Sequence, residues 1–204
     1  MVCVIFRTAA TARIDRLYRN WNSSIKKTVH NTPTSELSPR ARFWAIHDFM
    51  FVDAKVAWSE PQEAILLMML NSSCQLIFGN SWAQNADTIF RIFGWTMTRI
   101  LTMAILGRRS GKSIAISCGT AAIFLYVPRV HIGLVSTKED IGIMLFELIK
   151  SYFDLSGYDI KMDTTTKLKV QFGKYDIRHI IVLANNPETG KREICIFVAW
   201  CVTR

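Results

Sequence analysis

Three consecutive stretches decide the fold: ILTMAIL (residues 100–106), GRRSGKS (107–113) and IAISCGTAAIFLYV (114–127). The first is uncharged and rich in Ile, Leu, Met and Thr, which predicts a buried strand. The third mixes Ala115, Ala121 and Ala122 with larger apolar residues and predicts a helix. Between them lies a short loop bounded by Gly107 and Gly111 and ending in Lys112-Ser113. Strand, Gly-bounded loop and helix in this order are what a phosphate-binding P-loop requires. Backbone N–H groups of the loop and the partial positive charge of the helix start both favour an anion. Lys112 would reach the β- and γ-phosphates and the Ser113 hydroxyl would ligate Mg²⁺, so ATP and Mg²⁺ are the ligands expected.

The loop departs from the usual spacing. Only Arg108, Arg109 and Ser110 separate its glycines, where four residues are usual, and Leu106 stands where the first glycine is expected. The competing reading is a basic turn that happens to precede a helix. The flanking strand and helix favour the nucleotide reading, with Gly107, Arg108, Arg109, Ser110, Gly111, Lys112 and Ser113 as the cofactor-binding residues.

Outward from the loop, the pattern is that of an α/β domain. Pro128 and Arg129 make a turn before a strand at 130–135. Ser136 and Glu139 form a capping pair for the next helix, whose buried face would be Ile141, Met144, Leu145, Leu148 and Tyr152, with Gly157 as its end. Strands are expected at 167–172, which alternates, and at 177–183, which is nearly continuous apolar. This order predicts a P-loop NTPase fold with a mostly parallel sheet flanked by helices and a ligand at the carboxyl ends of its strands. Residues 64–86 lack Lys and Arg, but Asn71, Ser72, Ser73, Gln75, Asn80 and Gln84 interrupt them, so they predict buried helix and loop in place of a membrane span.

Half of the 204 residues are apolar, enough for a core. The formal charge is +9, and residues 1–47 hold eight Lys/Arg against Asp15 and Glu36, a net +6. Arg13, Arg16 and Arg19 lie on one face of an expected helix and Ile14, Leu17, Trp21 and Ile25 on another. This is a basic extension over residues 1–57, either a solvated face over a packed stripe or an arm for phosphate or a partner protein. Residues 58–204 would form the ATPase portion. The five cysteines contain no CxxC pair and the four histidines are scattered, which argues against a disulfide framework and a zinc site.

GRRSGKS, the apolar helix with Ile123-Phe124-Leu125, and Val130-His131-Ile132-Gly133-Leu134-Val135-Ser136-Thr137-Lys138 together resemble the viral terminase large subunit, the DNA-packaging ATPase of tailed phages and herpesviruses. The resemblance covers roughly residues 84–190 and leans toward the herpesvirus-like branch. It implies that Lys112 and Arg108 are catalytic, Arg108 as a charge-stabilising finger in cis. It also implies that Ser113 is the metal ligand and that Gln84 recognises adenine. The implied partners are sequence-independent duplex DNA, the viral portal, other terminase subunits and further copies of the chain, in the host nucleus.

The same resemblance requires a second strand, ending in Asp-Glu, 80 to 90 residues after the loop lysine. The chain has Ile194-Cys195-Ile196-Phe197-Val198-Ala199-Trp200-Cys201-Val202 there, hydrophobic but without the acids. The nuclease domain of the family is missing as well. Likeness stops at Gly190-Lys191-Arg192, a tripeptide that a splice-donor sequence can encode. The expectation is that residues after about 190 are intron read-through and the acidic strand lies in another exon. Two other functions stay open: a helicase-like DNA-stimulated ATPase, and a non-catalytic interaction protein that keeps the P-loop fold.

Overall fold

Ser38 fixes the start of the first helix. Its backbone is extended, its Oγ accepts from the Ala41 amide at 3.2 Å, and Pro39 begins the helix with no N–H to satisfy. The computed structural model describes residues 36–98, 110–136, 139–156, 164–184 and 196–202. Helix α1 (Pro39–Asp48) continues into a π-helical stretch, Phe49–Asp53, and the two bury Phe43, Ile46, Phe49 and Met50. The indole of Trp58 donates to the Met50 carbonyl at 2.7 Å and pins the connection to α2 (Glu60–Phe78). Residues 36–53 belong to the sequence segment expected as an extension, and they pack into one core with described residues between Ile65 and Val182. The basic helix expected around residues 13–25 lies outside the described residues.

A 3-10 turn, Gly79–Ser81, separates α2 from α3 (Trp82–Phe93). By length and composition the run Glu60–Phe93 could cross a membrane, yet 56% of its apolar window is buried within the protein. The polar residues in it are satisfied locally: Ser72 and Ser73 donate to the Met69 and Leu70 carbonyls at 3.0 and 2.9 Å. Gly94, in the left-handed conformation, ends α3 and turns Trp95 back onto Phe93, their rings stacked with centroids 4.6 Å apart. Trp44 stacks near the same Phe93 ring at 5.9 Å and Phe43 meets it edge-on, which makes an aromatic corner between α1 and α3.

Helix α4 (Lys112–Tyr126) is buried on nearly all sides from Ala115 onward, as a helix apolar all round must be. Gly119 lets α2 come close; a Cβ there would lie 2.7 Å from Met69 Sδ. Strand β1 (Val130–Ser136) follows after a turn at 127–129 and alternates strictly between buried and half-buried residues. Helix α5 (Glu139–Ser156) crosses back. Its buried stripe is Leu145, Phe146, Ile149, Tyr152 and Phe153, whereas Met144, expected inside, is 51% exposed. The stripe follows i, i+1, i+4, i+7, i+8, so the helix is rotated from the face that Ile141 and Met144 would have defined. Its expected end at Gly157 lies outside the described residues. The Ser117 hydroxyl donates to the Leu145 carbonyl at 3.4 Å between the two helices.

Strands β2 (Lys167–Gly173), β3 (Asp176–Ala184) and β4 (Ile196–Val202) complete a sheet of order β2-β3-β1-β4. The domain is α/β, but the sheet is mixed, which corrects the expectation of a mostly parallel one. Among the described strands only β1 and β3 run parallel. β2 and β3 are antiparallel because two residues, Lys174 and Tyr175, join them, a link too short for a crossover. β4 runs antiparallel to β1. The described helix cover is also one-sided: Val130, Ile132, Leu134, Ile180 and Val182 are buried beneath α4 and α5. On the opposite face His131, Gly133, Val135, His179 and Ile181 are half-buried and Leu183 is 50% exposed.

One buried ion pair ties helix to hairpin. Arg178, fully buried on β3, donates from Nε to Asp176 Oδ1 at 3.0 Å and from Nη2 to Oδ2. Its Nη1 donates to the Phe124 carbonyl at 2.7 Å and to that of Leu125, so the guanidinium closes the carboxyl end of α4. The Phe172 ring lies beneath it, 3.9 Å from the guanidinium carbon. Asp176 also accepts from the Arg129 amide at 2.7 Å. Burial pushes the Asp176 carboxyl up, but the hydrogen bonds from Arg178 and the Arg129 amide, with the positive charge of Arg178 and Arg42, hold it below the ordinary carboxylate range.

Asp176→Asn, which leaves the Arg178 charge without its counter-charge, is expected to lower the unfolding free energy by about 3–5 kcal/mol in urea titrations. Because the folded carboxyl is depressed, its contribution is present above the unfolded pKa of about 4 and disappears as pH falls through the folded value. Wild-type stability should therefore drop on acidification below about pH 4, and that part of the drop should be missing in Asp176→Asn. Burial also pushes the Cys74 and Cys118 thiols up to about 12. Both should resist alkylation by iodoacetamide at pH 8 in the native protein and react fully in urea, as mapped by peptide mass spectrometry.

Candidate functional site

Helix α4 begins where the loop ends. Lys112 and Ser113 are its first two residues, both half-buried, and Gly111 is its N-cap with φ 71° and ψ 15°. An L-residue adopts that left-handed backbone at a cost, whereas glycine does not. Helix α1 is capped by the Ser38 side chain and α2 begins with a capping box of Ser59 and Gln62, whereas α4, like α3, has no side-chain cap. The Gly111 carbonyl instead accepts from the Ile114 and Ala115 amides at 3.1 and 3.2 Å, which tightens the first turn. The Ser110 hydroxyl is buried beside it, with no hydrogen-bond partner among the described residues. A helix start of this kind directs backbone donors at an anion.

Topology fixes where this helix start lies. α4 runs down to the turn at 127–129 and β1 runs back up, so the start of α4 and the carboxyl end of β1 share one edge of the domain. The Arg178 contact confirms the opposite edge, since it joins the beginning of β3 to the end of α4. β1 and β3 end together, Ser136 opposite Ala184. Gly142 on α5 packs against that end so closely that a Cβ would lie 2.4 Å from Val182 Cγ1 and 2.9 Å from Ser136 Oγ. The segment Ser110–Ser113 thus sits at the carboxyl edge of the parallel pair, the edge where α/β sheets bind ligands.

Of the residues singled out in the sequence, Ser110, Gly111, Lys112 and Ser113 are brought together at this edge. Gly107, Arg108 and Arg109, and the strand expected at 100–106, lie outside the described residues. Gln84 is an exposed residue of α3. A different glutamine reaches the loop. Gln62 Nε2 donates to the Gly111 carbonyl at 3.3 Å across 49 residues of sequence, and a Cβ on Gly111 would lie 2.0 Å from the same nitrogen. The Ser59-x-x-Gln62 spacing is legible as a helix cap, but no sequence signal links it to Gly111. On α2, Asn71 Nδ2 donates to the Met97 carbonyl at 3.2 Å and fixes the chain just before residue 99.

β4 occupies the place where the acidic strand was expected. It carries no Asp or Glu, and because it is antiparallel its last residue, Val202, pairs with Val130 at the edge away from Lys112. His131 and His179, far apart in sequence, are register partners with rings stacked 4.6 Å apart. Among the described residues no three His, Cys, Asp or Glu side chains are placed to hold a metal ion.

The chain matches no protein-family model, no curated protein and no solved structure. The site therefore stands on its own geometry. Gly111→Ala should cost about 1–2 kcal/mol from the left-handed backbone alone, read as a lower urea midpoint with an unchanged denaturant slope.

Proposed function

We propose that this chain is the ATP-binding portion of a P-loop motor ATPase of the terminase type, which drives duplex DNA into a capsid. The observation that carries the reading is the left-handed Gly111 leading into an uncapped helix that opens with Lys112-Ser113, at the carboxyl edge of a parallel strand pair. There Lys112 would neutralise the β- and γ-phosphates, Ser113 would complete the Mg²⁺ shell, and Arg108 would offset charge developing on the transferred phosphoryl group. Catalysis of this type is positioning and charge neutralisation, and it needs a carboxylate to orient the attacking water. β4 supplies none, so the chain would bind Mg-ATP and turn it over very slowly, with the acid contributed by protein sequence outside β4.

The resemblance of GRRSGKS and Gly133-Leu134-Val135-Ser136-Thr137-Lys138 to terminases supports the DNA-packaging assignment over other P-loop functions. The net charge of +9 suits a partner with a phosphate backbone read without regard to sequence. Mg-ATP at about 100 times its Kd should stabilise the protein by about 2.7 kcal/mol, visible as a rise in Tm. Lys112→Ala should abolish the rise while leaving the apo Tm within a degree or two. No rise in the wild type, or an equal rise in the variant, would favour a non-catalytic interaction protein. Fast ATP turnover that depends on Lys112 would overturn the claim that turnover is very slow.

A further inference from the structure

We infer that Gln62 is a positioning residue for the phosphate loop. It holds the Gly111 carbonyl from outside the loop and so sets the backbone that would face the phosphates. The inference rests on the nucleotide reading for its functional meaning, but the geometry behind it is independent. The Gln62 side-chain amide is used at both ends. Its Oε1 accepts from the Ser59 amide at 2.9 Å and from Ser59 Oγ at 2.8 Å, completing the cap of α2. Its Nε2 donates to the Gly111 carbonyl at 3.3 Å. One planar group therefore joins the starts of two helices.

The arrangement specifies Gly111 twice. Its φ of 71° disfavours any side chain, and the Gln62 nitrogen occupies the space, 2.0 Å away, where a Cβ would go. The Gly111 carbonyl is also the acceptor for the Ile114 and Ala115 amides, so a donor from Gln62 orients the peptide that closes the first turn of α4. Rotation of that peptide would swing the backbone joining Ser110 to Lys112. A helix cap alone could be formed by glutamate or glutamine, because only an acceptor is needed. The donor to Gly111 needs the amide.

That difference separates positioning from capping. Gln62→Glu keeps the acceptor for Ser59 and replaces the donor to Gly111 with a carboxylate oxygen. A residue that only caps α2 would tolerate this change, with wild-type Tm and exchange. A positioning residue would not: amide hydrogen exchange at Ile114 and Ala115 in the apo protein should accelerate about tenfold, the effect of one lost hydrogen bond, with exchange in the middle of α2 unchanged. A fluorescent ATP analogue should bind about tenfold more weakly to Gln62→Glu. Gln62→Met, similar in length and uncharged, should reproduce the exchange effect and show that it does not come from the added charge. Unchanged exchange at Ile114 and Ala115 in both variants would overturn the inference. Were the wild type to bind no nucleotide while both variants still loosened these amides, the nucleotide reading would fail and the positioning of Gly111 would stand.

Discussion

The guanidinium of Arg178 organises this domain. A buried arginine is costly to desolvate, and here that cost is met by two bonds to Asp176, two to the last carbonyls of α4 and the face of Phe172. Each partner belongs to a different piece of the chain: the start of β3, the end of α4, the end of β2. The Arg129 amide, bound to the same carboxylate, adds the turn that leads into β1. Four segments are thereby brought to one point at the base of the sheet. With the foot of α4 fixed there, the direction of the helix fixes where its head must emerge. The head is the Gly111-Lys112-Ser113 corner.

Rigid packing along α4 carries this constraint to the other end. Gly119 leaves room for Met69 and Leu66 of α2 to lie against the helix, and Phe124 reaches across to Phe153 of α5, with ring centroids 5.3 Å apart. A helix held on nearly every side leaves little freedom at its first turn, and Gln62 removes more. The loop is thus supported by a helix anchored at both termini, with aliphatic contacts between them. On the proposed reading, backbone donors preorganised in this way would not have to rearrange on binding a phosphate.

Much of the architecture was legible because local pattern determined it. Alternation in Val130–Ser136 and Lys167–Gly173 marks half-buried strands, and the uncharged run after Ser113 marks a buried helix. Gly-Lys-Tyr-Asp between two strands is a hairpin signal, which counted over a generic strand–helix–strand pattern makes β2 and β3 antiparallel. Strand direction elsewhere depends on pairings that local pattern does not encode, as with β4 against β1. Arg178 is a charge inside an apolar strand, and nothing in its neighbourhood of sequence points to carbonyls 53 and 54 residues away. At the candidate site the motif exposed Gly111, Lys112 and Ser113, but the support from Gln62 depends on how α2 and α4 dock. For α5, the expected face of Ile141, Met144, Leu145, Leu148 and Tyr152 shares Leu145 and Tyr152 with the buried stripe, which the contact with α4 and the sheet centres on Phe146 and Ile149.

The aromatic corner gives the protein an optical signature. Trp44, Phe93 and Trp95 are held as near-parallel plates, with Phe43 set edge-on to the middle ring. Indoles packed in so asymmetric an environment produce near-ultraviolet circular dichroism, which vanishes when side-chain packing loosens even if the helices persist. Trp95 lies just beyond α3 and packs on Phe93. Light absorbed near 290 nm can therefore follow the tightness of the packing between α1 and α3 without any label.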